Sequence, residues 1–290
     1  MNTGIDQSNL RGIVAMMAAL FGFVVNDAIV KLVAEAIPLG QIIFLRGLIL
    51  ATVLSLVISL RREWPPLGDW THRSVVLRNI GEIGITFFYL TALTGLAVAN
   101  AVSILQALPF VITAAAALLL GERVGWRRWT AILAGFVGVL IIVRPGMGDF
   151  NAYSLFAVIA VGFLTLRDLA TRSIPKGIST LSITFSTTLC VTAMAIALGW
   201  FETWSMPDWR QLGMIGAASA FLMIGYFFII IAMRSGDVSA IAPFRYTIIL
   251  WALLIDLVVW SVVPPPLTMV GIAIIVASGL YMVFRERALS

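Results

Sequence analysis

The chain has 290 residues, 61% of them apolar and only 11% charged, with a mean hydropathy of +1.04 and a formal net charge of +5. Average soluble domains carry roughly 25% charged residues, so this composition excludes one and predicts an integral membrane protein. The bases fall mostly in short loops between apolar segments, which argues against nucleic-acid binding, and the single cysteine, Cys190, excludes an intramolecular disulfide and a thiolate metal cluster.

The N-terminal MNTGIDQSNLR is polar and leads straight into a full-length apolar segment. It lacks the basic start, short apolar core and small-residue cleavage site of a secretory signal, so the first segment is expected to remain as a membrane helix. A hydrocarbon core of about 30 Å needs about 20 apolar residues per helix. Runs of that kind lie near 11–33, 41–60, 74–93, 97–118, 128–143, 152–172, 179–199, 210–232, 239–259 and 267–284. Turn-forming stretches separate them: AIPLG, REWPPLGD, ALTG, GERVGW, RPGMGD, IPKG, MPDW, RSGD and VPPP. The expected fold is an all-α polytopic membrane protein with ten transmembrane helices.

A charge near the centre of such a span costs on the order of 2.5–3.5 kcal/mol on insertion scales, so these residues usually face a cavity or one another. The first span holds Asp27 and Lys31 in FVVNDAIVKL, and the second holds Arg46. On the third, Asn79, Glu82, Thr86 and Tyr89 recur at helical spacing and share a face. The fourth carries Asn100, Ser103 and Gln106 and is interrupted by Pro109, which removes a backbone donor and frees a carbonyl. In the fifth, Ala131, Gly135 and Gly138 predict close helix packing. The sixth holds Arg167, Asp168 and Arg172; the ninth holds Pro243 about one turn in, followed by Arg245, Tyr246, Thr247, Trp251 and Asp256. Asn79, Glu82, Thr86, Tyr89, Asn100, Ser103, Gln106, Arg245, Tyr246 and Trp251 are candidates to line a substrate cavity, against the alternatives of packing kinks at the prolines and polar glue between interior helices. Trp64, Trp70, Trp126, Trp129, Trp200, Trp204 and Trp209 sit near helix ends, as an interfacial belt would.

With the N-terminus in the cytoplasm, the inner segments and adjoining helix ends collect 13 bases, namely Arg11, Arg61, Arg62, Arg73, Arg78, Arg123, Arg127, Arg128, Arg172, Lys176, Arg234, Arg285 and Arg287. The outer segments hold 3, Lys31, Arg144 and Arg210. This bias predicts both termini inside. An offset of 141 residues lays the first five spans over the last five, with Asp27 on Asp168, Lys31 on Arg172, Gly95 on Gly236, Gly138 on Gly279 and Arg144 on Arg285. Five is odd, so the second unit enters the membrane upside down. Residues 1–148 and 149–290 are therefore expected to form two inverted five-helix repeats of one transport domain, with substrate near the midplane between them. The duplicated acid–base pairs then lie toward opposite faces. In one reading Asp27, Lys31, Asp168 and Arg172, with Arg46, Pro109 and Pro243, gate alternate ends of a pathway. In the other, Lys31 and Arg172 snorkel to the interface and their aspartates satisfy them at i,i+4.

The stretches IIFLRGLILATVL, ALPFVITAAAALLLGERVGWRRWTAILAGFVGVLIIVRPG and APFRYTIILWALL resemble the EamA type of the drug/metabolite transporter superfamily, and the similarity runs over nearly the whole chain. The resemblance implies ten helices in two five-helix repeats and a metabolite carrier of the bacterial inner membrane. The branch most similar in overall look is the amino-acid exporters. The first repeat has the family's Gly-Glu at Gly121 and Glu122, whereas the same offset lands on Val262 and Val263 in the second, a departure from a symmetrical motif.

No G-x-x-x-x-G-K-[ST] loop is present, and Lys31 and Lys176 are the only lysines, so the chain has no phosphate loop with which to drive transport itself. Asp27 and Asp168 are expected near opposite faces, too far apart for a proteolytic dyad. The only histidine, His72, falls in a cytoplasmic loop beside Asp69 and Trp70, which disfavours a buried Ser-His pair or a histidine metal site. No catalytic residue, metal or cofactor is expected, and no carbonyl-filter motif points to a channel. The expected function is secondary export of amino acids or similar small metabolites by alternating access. The alternative is export or import of another small metabolite or drug-like compound. The expected partners are the lipid bilayer and a small zwitterion, with Arg245 holding its carboxylate through directional hydrogen bonds and Glu82 receiving its ammonium.

Overall fold

A computed structural model describes residues 7–62, 64–119, 125–145, 151–235 and 238–287. Gly121, Glu122, Arg123 and Gly236 lie outside the described residues, as do the side chains of Arg234, Arg285 and Arg287. All regular structure among the described residues is helical: α1 (Gln7–Ala34), α2 (Leu39–Arg61), α3 (Leu67–Thr71), α4 (Arg73–Gly95), α5 (Val98–Leu105), α6 (Leu108–Leu119), α7 (Trp126–Val143), α8 (Tyr153–Arg172), α9 (Thr180–Leu198), α10 (Trp209–Arg234), α11 (Val238–Ile241), a 3-10 segment (Ala242–Tyr246), α12 (Thr247–Trp260) and α13 (Pro266–Arg287). They supply 10 segments long and apolar enough to cross a membrane, at the positions expected from the apolar runs. Trp64, Trp126, Trp200 and Trp209 are exposed near helix ends.

Two of these segments are interrupted, each by a proline. In the fourth span Pro109 has no N–H to offer Leu105, so α5 stops there. The chain tightens instead: Gln106 N–H donates to Ser103 O at 3.2 Å and Ala107 N–H to Ile104 O at 3.0 Å before α6 begins. In the ninth span Pro243 sits at the start of the 3-10 segment that separates α11 from α12.

The chain forms two compact units, each drawing on both halves of the sequence. One comprises Met1–Ala28, Gly95–Leu155 and Ala220–Ser290; the other comprises Ile29–Thr94 and Phe156–Ser219. In the first, α7 packs against α13 where Gly138 meets Gly271: a methyl group on Gly138 would lie 2.9 Å from Gly271 O and 2.8 Å from Ile275. Backbones this close gain van der Waals contact that bulkier residues would forbid. In the same unit α1 meets α10 around Gly22 and Gly225, and Ala15, Met16, Leu20, Ala232 and Ile241 form an apolar core. The first turn of α5 is capped by a side chain from α12. Asp256, 1% exposed, accepts the Val98 N–H at 3.0 Å and the Ala99 N–H at 2.7 Å, joining its charge to the positive end of a helix.

In the second unit α2 packs along α9, with Gly47 facing Thr192. The ends are tied by polar contacts: Gly40 N–H donates to Glu202 Oε1 at 3.0 Å and Gln41 Nε2 to Ser205 O at 2.5 Å. Against α8, α4 presents Gly81 and Gly84. A methyl on Gly81 would sit 2.8 Å from the Arg167 backbone nitrogen, so only glycine lets α8 approach at this level.

Candidate functional site

The close approach at Gly81 sets the first functional constellation. It brings the Arg167 side chain of α8 alongside the next residue of α4, and Arg167 Nη1 lies 3.4 Å from Glu82 Oε2. The same guanidinium grips Asp168, with Nη2 at 2.8 Å and Nε at 2.9 Å from Oδ1. One cation thus serves two carboxylates inside membrane-spanning helices. None is sealed off: the side chains of Arg167, Glu82 and Asp168 are 27%, 16% and 30% exposed.

One turn along α4, Asn79 is buried and binds α9. Its Nδ2 donates to Ser186 Oγ at 3.3 Å, and its Oδ1 accepts from Thr187 Oγ1 at 2.6 Å. Arg78 donates to Thr187 as well, and Cys190 Sγ is 3.7 Å from Asn79 Nδ2. Thr86 and Tyr89 continue the same side of α4, both half-buried. The expected polar face is therefore engaged at Asn79 and Glu82, and Glu82 takes Arg167 as its partner. Arg245, expected to work with Glu82, is an exposed residue of the 3-10 segment in the other unit.

The remaining candidates of that other unit surround α5 and α12. Asn100 and Ser103 on α5 keep Asn100 Oδ1 and Ser103 Oγ buried without a hydrogen-bond partner, and the same holds for Trp251 Nε1 on α12. Trp251 meets Phe21 of α1 edge-on at 5.2 Å between ring centres. Buried polar atoms without partners are uncommon in folded proteins. Gln106 is half-buried at the break between α5 and α6. Tyr246 is buried with its hydroxyl over Gly279 of α13, a packing contact that glycine alone permits.

Among the candidate gating residues, Asp27 is buried on α1 and accepts from Asn26 Nδ2 at 2.9 Å, while Lys31 and Arg46 are half-buried. Arg172 is exposed at the end of α8, and the contacts of Asp168 described above run to Arg167. Pro109 and Pro243 stand at the two helix interruptions. Arg78, Arg167, Ser186, Thr187 and Cys190 belong to these networks and were not among the candidate cavity or gating residues. Arg167 carried a signal, being a charge in mid-span next to Asp168. The hydroxyls of α9 carried none, since serine and threonine occur throughout membrane helices.

Ten apolar helices, a polar interior and interrupted fourth and ninth spans can be set beside known proteins. The EamA-like transporter family matches residues 10–144 and again 151–285, a displacement of 141 residues (151 − 10 and 285 − 144). The chain belongs to this family. It is a multi-pass membrane transporter with two EamA domains. Among curated relatives of this EamA-like transporter, the S-adenosylmethionine uptake transporter of Rickettsia prowazekii is 25% identical over 96% of this chain and 94% of its own length. The pseudopaline exporter CntI of Pseudomonas aeruginosa is 24% identical over 92% and 94%. A riboflavin transporter of Vibrio cholerae is 30% identical over 62% of this chain and 61% of its own. A crystal structure aligns with a TM-score of 0.64 at 20% identity, covering 99% of this chain and 100% of the other, a likeness of fold.

Proposed function

We propose that this EamA-like transporter is a secondary carrier of the bacterial inner membrane that exports amino acids or closely similar zwitterionic metabolites. The observation that carries this reading is the half-open cluster of Arg167, Glu82 and Asp168. A membrane protein gains little from a charge network kept for stability alone, because desolvation offsets much of the attraction. Two partly exposed carboxylates around one cation offer oxygen acceptors for an ammonium. Alternating access is supported by the interrupted helices near Gln106 and at Ala242–Tyr246, since discontinuous spans are a recurrent feature of carriers built from inverted repeats. In this reading residues 1–148 and 149–290 are the two inverted repeats, both termini are cytoplasmic, and Asp27–Lys31 and Asp168–Arg172 act toward opposite faces.

Counterflow of labelled amino acids in proteoliposomes tests the carrier. Arg167→Gln is expected to raise the half-saturating concentration about 10- to 150-fold, the equivalent of losing charge-assisted hydrogen bonds of roughly 1.5–3 kcal/mol. Arg167→Lys should restore part of this, keeping charge without the planar fork. Ohmic current without counterflow would make the chain a channel, and unchanged affinity in Arg167→Gln would take the cluster out of the site. Net uptake is the second reading, favoured by the S-adenosylmethionine uptake transporters among the relatives. Accumulation in everted membrane vesicles supports export, and depletion supports uptake.

Orientation has its own test. Cysteines at Thr94 and Pro265 in a Cys190→Ser background are expected to react with an impermeant thiol reagent from outside intact cells. Labelling of a cysteine introduced at the N-terminus under the same conditions would reverse the topology.

A further inference from the structure

A crevice of about 340 Å³ runs between the start of α1 and the end of α10, wholly within the first unit. Its walls are Arg11 of α1, Phe227, Ile230 and Ile231 of α10, and Ser235 just past the end of α10. Gly12 makes this arrangement possible. A methyl group there would collide with the Ile241 side chain and lie 2.8 Å from Ser235 O, so only glycine lets α1 come this close to the end of α10. The residue before it, Arg11, then flanks the crevice and is exposed.

The two ends of the crevice differ in chemistry. One carries a guanidinium, whose planar fork matches phosphate oxygens, and the Ser235 hydroxyl, which adds a donor. No carboxylate is among the described lining residues. The other end is apolar, with Phe227 62% and Ile230 49% exposed on a helix long and apolar enough to span the membrane. Phe227 and Ser235 are eight residues apart (235 − 227), about 12 Å along a helix, which is most of the roughly 15 Å of hydrocarbon in one leaflet. A soluble anion would leave the apolar wall unused, and a neutral lipid would leave the guanidinium unused. An amphiphile with a negative head uses both. In the orientation proposed above this end of the crevice faces the cytoplasm, where the membrane surface is anionic.

We propose that this crevice binds an anionic phospholipid, with the headgroup phosphate on Arg11 and Ser235 and an acyl chain along Phe227, Ile230 and Ile231. The bound lipid joins α1 to α10 beside the Gly12 contact, and the rest of it stays in the bilayer. The assignment needs neither the transported substrate nor the direction of transport, so it goes beyond the carrier reading and does not rest on it.

Native mass spectrometry of the purified full-length protein in detergent supplies the test, with phosphatidylglycerol and phosphatidylcholine of identical chains as probes. Phosphatidylglycerol is expected to saturate a site at about fivefold lower concentration than phosphatidylcholine, the worth of one arginine at a charged surface. Arg11→Gln should erase that preference, and Arg11→Lys should keep part of it. Ile230→Trp fills the crevice from an exposed position and leaves the charge in place; it should weaken phosphatidylglycerol by a similar factor. Arg127→Gln removes an exposed cation that lies over the Trp126 ring and outside the crevice, and should leave the preference intact. Glycerol phosphate, a head without chains, should not displace the lipid at equal concentration. Equal retention of the two lipids, a preference that survives Arg11→Gln, an equal loss in Arg127→Gln, or undiminished binding in Ile230→Trp would overturn the assignment. So would displacement by glycerol phosphate, which would give the cation to a soluble anion, and so would dimers that Ile230→Trp disperses, which would give the surface to a second copy of the chain.

Discussion

Replacing Asp256 by alanine is expected to destabilise the protein by roughly 2–6 kcal/mol, one of the two largest single-residue effects we anticipate. Its carboxylate accepts both the Val98 and the Ala99 amide at a site 1% exposed. Alanine would strand two donors in an apolar interior, each at about 1–3 kcal/mol. The result should fall toward the lower end, because removing a buried charge also relieves its desolvation. Asp256→Asn keeps one acceptor and should be intermediate. Unfolding of purified protein in mixed micelles, followed by tryptophan fluorescence, supplies the measurement. An unchanged midpoint in the alanine variant would show that the cap contributes nothing.

Gly138→Leu is expected to be comparably severe. Even a methyl there would lie 2.9 Å from Gly271 O, and a methyl on Gly271 would lie 2.8 Å from Gly138 O. Backbone faces backbone, so no flexible side chain can swing aside, and α7 and α13 must separate. Overpacking of a tight interior costs typically about 1–3 kcal/mol; Gly138→Ala should fall in that range and leucine beyond it, with little folded protein recovered. Gly138→Leu and Gly271→Leu together should cost less than their sum, since the first has already opened the contact. Gly216→Ala is the control, with open space around a helical glycine, and should be neutral or slightly stabilising. Wild-type behaviour of Gly138→Leu on size-exclusion chromatography and in unfolding would refute the close packing.

Much of this could be read from residue order. Span number and position follow from apolar runs long enough for the bilayer, and the helix interruptions from Pro109 and Pro243. Gly138 announced close packing because small residues have little other use in mid-helix. The partners of charged groups were another matter. Within its own unit Glu82 pairs with Arg167, on a helix whose rotation about its own axis the sequence left open. Asp256 read as one more intramembrane charge; its role as a cap depends on amides 158 and 157 positions away.

Sequence by itself determined that the chain spans a membrane ten times, that its halves repeat at 141 residues and which positions carry charge into the apolar spans. These properties are one-dimensional: hydrophobic length and proline's missing donor act on the chain locally. Only the tertiary structure decided which helices share a unit, that Gly81 admits Arg167 to Glu82, that Asp256 closes α5, and that Arg11 and Ser235 line one crevice. The physical reason is that a lipid-facing helix tolerates almost any rotation by composition alone. Its orientation is selected by backbone approach at glycines and by the need of each buried polar group for a partner, and both depend on neighbours distant in sequence.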